Sequence, residues 1–245
     1  MARIFVYRLR CDLINLGMHL SIPVLVFLLI VTSCSLPQRP AAAPQVPVMP
    51  NATQALSKLK QGNQRFANHM QNHPDQGGKR VHQLAQGQHP IATVLACADS
   101  RVPPEIVFDQ GLGDLFVVRE AGHVADDATL GSIEYAVEHL KTPLIVVLGH
   151  ESCGAVTAAV DVMESHQPAG GHIELLVEDI RPAVQEAGTH GSRESRIARA
   201  VTANVKLVMG QLTRNDAALA KAVRAGAVRI VGAVYDLHTG RITWL

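Results

Sequence analysis

Residues 144–154 read Leu-Ile-Val-Val-Leu-Gly-His-Glu-Ser-Cys-Gly and join a predicted strand to a predicted helix. The apolar and largely β-branched run at 144–148 follows Pro143 and predicts a fully buried strand, which Gly149 is expected to end. Helical spacing of apolar residues resumes over 155–163. A buried strand followed closely by a helix is the repeating unit of parallel sheets, so this stretch predicts an α/β fold.

The same alternation continues on both sides of this stretch. Further strands are predicted at 91–96, 115–119 and 228–235, and a terminal strand at 241–245 follows a turn at 237–240. Besides 155–163, amphipathic helices are predicted at 129–139, 173–185, 194–212 and 215–225, and the polar segment 68–88 is expected to be a loop with helical turns. We therefore expect a mostly parallel central sheet of four strands plus a terminal antiparallel strand, with helices on both faces and an N-terminal helical arm at 55–66.

Length and composition indicate one globular domain with an additional N-terminal segment. The 245 residues are 47% hydrophobic and 18% charged, which provides enough apolar side chains for a sizeable core. The formal net charge is only +1. Proteins that bind nucleic acid usually carry a strongly basic face, so this composition argues against a nucleic-acid partner.

The N-terminal segment has the layout of a secretory signal. Three arginines within residues 3–10 precede an apolar run at 20–31, which is shorter than the roughly 20 residues of a membrane span. The run ends in Val-Thr-Ser-Cys34, which resembles the lipobox of bacterial lipoproteins. We expect a signal peptide at 1–33, lipidation of Cys34, a Pro/Ala-rich tether at 34–50 and a globular domain at 51–245.

This layout predicts an exported protein held in the periplasm or cell envelope by lipid on Cys34. Ser35 favours the outer membrane, because an inner-membrane retention signal usually has Asp at that position. Three alternatives stay open: an uncleaved anchor, an ordinary signal peptide with an incidental cysteine, and a true start at Met18.

Residues that could bind a metal ion follow two of the predicted strands. Cys97 comes directly after the strand at 91–96, and His150 and Cys153 follow the strand at 144–148. In parallel sheets functional groups gather at the carboxyl ends of strands. Two thiols and one imidazole suit Zn²⁺ and leave one position for water, as in catalytic zinc sites. The remaining alternatives for the two cysteines are a disulfide, which is common in exported proteins, and a redox pair.

The surrounding residues resemble the β-class carbonic anhydrases. The first motif is Cys97-Ala-Asp-Ser-Arg101, and the second is His150-Glu-Ser-Cys153-Gly. Further similarity includes Gly-Asn-Gln-Arg-Phe at 62–66 and Gly-Ala-Val-Tyr-Asp-Leu at 232–237, so the resemblance covers nearly all of residues 52–245. It implies zinc-dependent reversible hydration of carbon dioxide to bicarbonate and a proton.

The resemblance also implies roles for individual residues. Cys97, His150 and Cys153 would bind zinc, and Asp99 and Arg101 would form the family's Asp–Arg dyad. Arg101 would keep Asp99 ionised, and Asp99 would accept a hydrogen bond from the attacking water or hydroxide. Substrate contacts would come from Gln88, Phe116 and Tyr135, which serve the partner's zinc in a homodimer or a dimer of dimers.

Some positions depart from the family pattern or leave a role unassigned. Members with a regulatory bicarbonate pocket carry a tryptophan where this chain has Val94, although Arg119 and Tyr235 of that pocket are present. We expect Asp99 to stay off the metal, without bicarbonate inhibition. His123 stands where many relatives have asparagine. The proton shuttle is expected among histidines taken to be exposed, namely His123, His139, His166, His172 and His190.

Two alternative functions use the same residues. A hydrolase of carbon disulfide or carbonyl sulfide would share the ligands and restrict access to the pocket. A non-catalytic zinc-binding lipoprotein of the envelope would need no Asp99, Arg101 or Gln88, so the presence of those three residues favours an enzyme.

Overall fold

The computed structural model describes residues 49–245. The predicted signal peptide, Cys34 and nearly all of the predicted tether lie outside these residues. Among the helices of the described part, none is both long enough and apolar enough to cross a membrane.

A five-stranded sheet forms the centre of the domain, in the order β2-β1-β3-β4-β5. Four strands are parallel, and β5 runs antiparallel to β4. The strands are β1 Ala92–Ala96, β2 Leu115–Arg119, β3 Leu144–His150, β4 Arg229–Tyr235 and β5 Ile242–Trp244. The predicted sheet of four parallel strands and one terminal antiparallel strand is therefore confirmed.

The helices of the described residues lie in the predicted alternation with the strands. They are α1 Ala52–Ala67, α2 Gly78–Leu84, α3 Pro104–Val107, α4 Asp127–Glu138, α5 Gly154–Ser165, α6 Ile173–Ala187, α7 Arg193–Arg214 and α8 Ala217–Arg224, with a 3₁₀ turn at Ala121–His123. Side-chain caps start four of them, at Asn51, Asp126, Ser192 and Asp216. The sequence did not predict α3, because its four residues are too few to show a helical period.

Strand β3 is buried on both faces, which explains its unbroken apolar run. Leu144, Val146 and Leu148 point to the face that α1 and α3 cover. Ile145 and Val147 point to the opposite face, against α4, α7 and α8. Burial of each such aliphatic side chain contributes about 1.5–3 kcal/mol, so the two layers together hold the sheet in register.

The expected end of β3 at Gly149 is wrong. The strand continues through Gly149, which pairs with Val234, to His150, which pairs with Tyr235. A Cβ at position 149 would stand 2.6 Å from Val205 Cγ2 in α7. Glycine is therefore explained by the close approach of α7 and not by the end of the strand.

Helix α1 is joined to distant parts of the domain by buried polar groups. Asn63 Nδ2 donates to the carbonyl oxygens of Val107, at 3.1 Å, and Gly240, at 2.8 Å. Asn63 Oδ1 accepts from the backbone N–H of Ile242 at 2.9 Å. These bonds connect the first helix of the domain to α3 and to its last strand.

Close packing of α1 on α3 leads to a prediction about stability. A Cβ added at Gly62 would stand 1.7 Å from the carbonyl oxygen of Phe108, which is backbone and has little room to move. We expect Gly62→Ala to lower the free energy of unfolding by about 2 kcal/mol or more, because the overpacked helix must shift. Urea unfolding followed by circular dichroism measures this change.

Gly131→Ala in α4 is the matched control. No atom lies within 4 Å of a Cβ built at Gly131, so alanine there should raise the free energy of unfolding by about 0.5–1 kcal/mol through helix propensity. If both variants unfold at the same urea concentration, α1 does not pack on Phe108 as described.

Candidate metal centre

Three candidate ligands converge at the carboxyl ends of β1 and β3. Cys97 directly follows β1, His150 is the last residue of β3, and Cys153 is the N-cap of α5. One ligand atom from each residue lies within 4.8 Å of the other two, and the two sulfur atoms are 3.9 Å apart. All three side chains are buried. The predicted gathering of these residues at one edge of the sheet is present.

The imidazole of His150 is oriented to bind a metal through Nε2. His150 Nδ1 lies 2.9 Å from the carbonyl oxygen of Glu151, so in the neutral ring Nδ1–H donates and Nε2 keeps its lone pair. Nε2 is buried and has no hydrogen-bond partner among the described residues. A buried nitrogen without a partner is costly, and a metal ion would satisfy it. The donor set of two thiols and one imidazole therefore fits Zn²⁺.

Both cysteines are free thiols in this structure, in contrast to the disulfide alternative. Cys97 Sγ accepts a hydrogen bond from the backbone N–H of Gly122 at 3.3 Å. The hydrogen bond from the Cys153 thiol and, less strongly, those from the backbone hold the pKa of Cys97 well below its usual range, against the effect of burial. The environment therefore favours the thiolate, which is the form that binds metal.

Asp99 and Arg101 form a bidentate ion pair beside the three candidate ligands. Arg101 Nε donates to Asp99 Oδ1 at 2.9 Å, and Nη2 donates to Oδ2 at 2.7 Å. The hydrogen bonds from Arg101 hold the pKa of Asp99 well below its usual range, so the carboxylate is ionised at neutral pH. Asp99 Oδ2 lies 3.8 Å from His150 Nε2 and thus faces the place where the ligand atoms meet.

Arg119 holds the backbone of the loop that carries Cys97 and Asp99. Its Nε donates to the carbonyl oxygen of Cys97 at 2.9 Å, and its Nη2 donates to that of Asp99 at 2.5 Å. Sequence reasoning connected Arg119 only with a regulatory pocket and missed this contact. The available signal was its position at the end of a strand next to β1, where a long donor can reach the loop.

Gln88, Phe116 and Tyr135 lie away from these ligands within one chain. Gln88 is exposed and precedes β1, whereas Cys97 follows it. The five residues of β1 separate the two ends by roughly 16 Å. Phe116 lies in the edge strand β2, and its ring centroid is 6.2 Å from that of Tyr135, which is 47% exposed. The structure thus places Phe116 and Tyr135 together at an edge of the domain and Gln88 in an exposed loop.

One of the five shuttle candidates is wrongly described as exposed. His123 is fully buried, and burial lowers its pKa to about 4. His123 lies in a polar, glycine-containing segment, so the sequence does not show that α7 packs over the turn. The other four candidates are exposed, as expected.

Comparison with known proteins identifies relatives of the whole domain. The carbonic anhydrase family profile matches residues 92–242. A carbonic anhydrase of Mycolicibacterium smegmatis is 46% identical over 196 residues, which cover 79% of this chain and 94% of that protein. Carbonic anhydrase 2 of Mycobacterium tuberculosis is 45% identical over 191 residues, which cover 78% and 91% of the two chains.

Solved structures show the same fold. A Coccomyxa β-carbonic anhydrase in complex with acetazolamide matches with a TM-score of 0.62 and 27% identity, covering 78% of this chain and 86% of that chain. One of two tetrameric β-carbonic anhydrases from Sordaria macrospora matches with a TM-score of 0.61 and 26% identity, covering 79% and 95%.

Proposed function

This chain belongs to the β-class carbonic anhydrase family, and on that premise we propose that Cys97, His150 and Cys153 bind its catalytic zinc ion. The enzyme catalyses the reversible hydration of carbon dioxide to bicarbonate and a proton. The observation that carries the ligand assignment is the convergence of three buried donor atoms within 4.8 Å of one another. A structural zinc site would be closed by a fourth protein ligand, and no fourth Cys, His or acidic side chain joins this group within residues 49–245.

Zinc, when bound, is a Lewis acid that lowers the pKa of water and so supplies a hydroxide nucleophile near neutral pH. The protein's own contribution is orientation. Asp99 Oδ2 accepts the hydrogen of the attacking oxygen and directs its lone pair toward carbon dioxide. Both oxygens of Asp99 can accept only while the carboxyl group is ionised, and the two side-chain hydrogen bonds from Arg101 maintain that state. Buried apolar side chains around Cys97 and Cys153 exclude water from behind the ligands.

We further propose that Asp99 remains paired with Arg101 and does not replace water on the metal. Two observations support this. Asp99 uses both carboxylate oxygens on Arg101. Arg119, the arginine of the regulatory pocket in some relatives, donates instead to the backbone of Cys97 and Asp99, and Val94 stands where that pocket has a tryptophan.

The substrate-contacting residues are proposed to act across a dimer interface. Phe116 and Tyr135 form an aromatic cluster at the β2 edge of the domain, and Gln88 is exposed on the side of β1 opposite Cys97. Such a position is unsuited to the zinc of the same chain and suits contact with a second copy. The tetrameric assembly of the Sordaria macrospora relatives supports a homodimer or a dimer of dimers.

Export and lipid anchoring are proposed from residues 1–50. A signal peptide at 1–33, lipid on Cys34 and a Pro/Ala-rich tether would place the enzyme in the periplasm at a membrane, with the outer membrane favoured. Hydration of carbon dioxide at that surface would convert a gas that crosses membranes into an ion that does not.

Removal of the Asp99 carboxylate tests the mechanism. We expect Asp99→Asn to lower kcat/KM for carbon dioxide about 100-fold, because the amide cannot accept and orient in the same way. Zinc content should remain one ion per chain, whereas Cys153→Ser should lose zinc. Stopped-flow hydration and elemental analysis measure the two quantities.

The matched control for Asp99→Asn is Asp161→Asn, which breaks another Asp–Arg pair, with Arg193, at the surface. That variant should keep its activity within about twofold, because exposed pairs contribute little. Full activity in Asp99→Asn would exclude the proposed role of this carboxylate.

A mixed dimer tests whether Gln88 serves the partner's zinc. Chains carrying Gln88→Ala and chains carrying Asp99→Asn are co-expressed with different affinity tags, and the mixed dimer is purified through both tags. If Gln88 acts across the interface, one of the two sites contains both wild-type residues, and about half of the wild-type activity returns. If Gln88 acts within its own chain, both sites are defective and the mixed dimer stays at least about tenfold below wild type.

Cys34→Ser tests the anchor. We expect the wild-type protein to sediment with membranes and to incorporate labelled fatty acid, whereas Cys34→Ser should remain in the soluble fraction with its zinc and activity unchanged. A serine control at Cys11 should not change fractionation, because that residue lies within the predicted signal peptide. Absence of labelled fatty acid from wild type, or equal incorporation in wild type and Cys34→Ser, would contradict lipidation.

A further inference from the structure

A strained turn lies directly against the first zinc ligand. Residues Ala121–His123 form a 3₁₀ turn in which Gly122 has φ +70° and His123 has φ +47°. Two consecutive residues in the left-handed region are unusual, and the second carries a bulky side chain. Strain of this kind persists only where the surrounding structure holds it, and it concentrates at functional sites.

The two polar groups of Gly122 contact two different partners. Its N–H donates to Cys97 Sγ at 3.3 Å, and its carbonyl oxygen accepts from Asn204 Nδ2 at 2.9 Å. The same Nδ2 lies 3.2 Å from His123 Nε2, so the two amide hydrogens reach both residues of the strained turn. Gly122 has no side chain that could fix its position. The hydrogen bond from Asn204 fixes its backbone instead.

Asn204 is a polar residue buried in α7. It is fully buried on the apolar face of the helix, alongside Ala200, Val201, Val205 and Val208. A buried amide on such a face costs free energy unless hydrogen bonds compensate it. Within residues 49–245 its bonds go only to Gly122 and His123, and its Oδ1 has no partner. The hydrogen bonds of Asn204 therefore hold this turn and do not stabilise the helix itself.

We propose that Asn204 is a positioning residue of the metal centre, which fixes Gly122 so that its N–H points at the sulfur of Cys97. The proposal rests on the proposed role of Cys97 as a zinc ligand. The hydrogen bond stabilises the thiolate and limits its rotation, so the ligand stays directed at the metal. Loss of such outer contacts typically weakens metal binding 10–100-fold.

Zinc release separates positioning from packing. Zinc-loaded full-length Asn204→Leu, which keeps the approximate volume and removes the donor, is mixed with excess chelating dye and compared with wild type. We expect zinc to leave at least about tenfold faster than from wild type. The matched control is Val208→Ala, one helical turn further along α7, fully buried and without polar contacts. It should lower the melting temperature and leave zinc release within about twofold of wild type.

A spectroscopic readout reports on the sulfur itself. In the cobalt-substituted enzyme the thiolate-to-metal absorption band should shift to longer wavelength in Asn204→Leu, because the sulfur lone pairs lose a hydrogen bond. Val208→Ala should leave the band in place. Asn204→Thr keeps one donor on a shorter side chain and should release zinc at an intermediate rate. If the leucine variant does not fold, the threonine variant is compared with wild type in its place.

The outcomes distinguish this inference from the proposed function. If wild type binds no zinc, the ligand assignment itself fails. If wild type binds zinc and the Asn204 variants release it at the wild-type rate with an unshifted cobalt band, Asn204 only packs and the positioning role is overturned. Faster release from Val208→Ala equal to that from Asn204→Leu would overturn it as well, since general loosening would then explain both.

Discussion

Parallel pairing of β1 with β3 is the constraint on which the candidate metal centre depends. Ala96 pairs with Leu148, β1 ends there, and β3 continues to His150. The thiol of Cys97 and the imidazole of His150 consequently meet at one edge. Side chains alternate between the two faces of a sheet, so a slip of one residue would turn every side chain of β1 to the opposite face. The apolar layers on both sides of β3 oppose that slip, so packing away from the site determines the distance between the candidate ligands.

Sequence reasoning succeeded where the determining interactions are local. The strand at 115–119 was predicted with its observed bounds, because a short apolar run with two β-branched residues indicates a strand without information from elsewhere in the chain. The same is true of the two motifs. Each lies within a few residues of a strand end, and the rule that functional groups gather at carboxyl ends of parallel strands brings the motifs together without knowledge of the packing.

Features that depend on contacts between distant segments were mispredicted or missed. Gly149 was taken as the end of a strand, because a glycine in sequence does not reveal that α7 packs against it. His123 was taken as exposed, although α7 covers it. Asn204 interrupts an apolar helical face, and that irregularity was the one signal available, but its partners lie about 80 positions earlier in the chain. Contacts with a second chain are still less visible, since one sequence shows no interface.

The hydrogen bonds of Asn63 have a consequence for how the protein is made. Asn63, in the first helix, needs Gly240 and Ile242, which leave the ribosome about 180 residues later, to satisfy its amide. Until β5 has been synthesised, Asn63 has only the carbonyl oxygen of Val107 as a partner, and the edge of β4 is uncovered. The polar contacts of the first helix are therefore completed only when the last strand is in place.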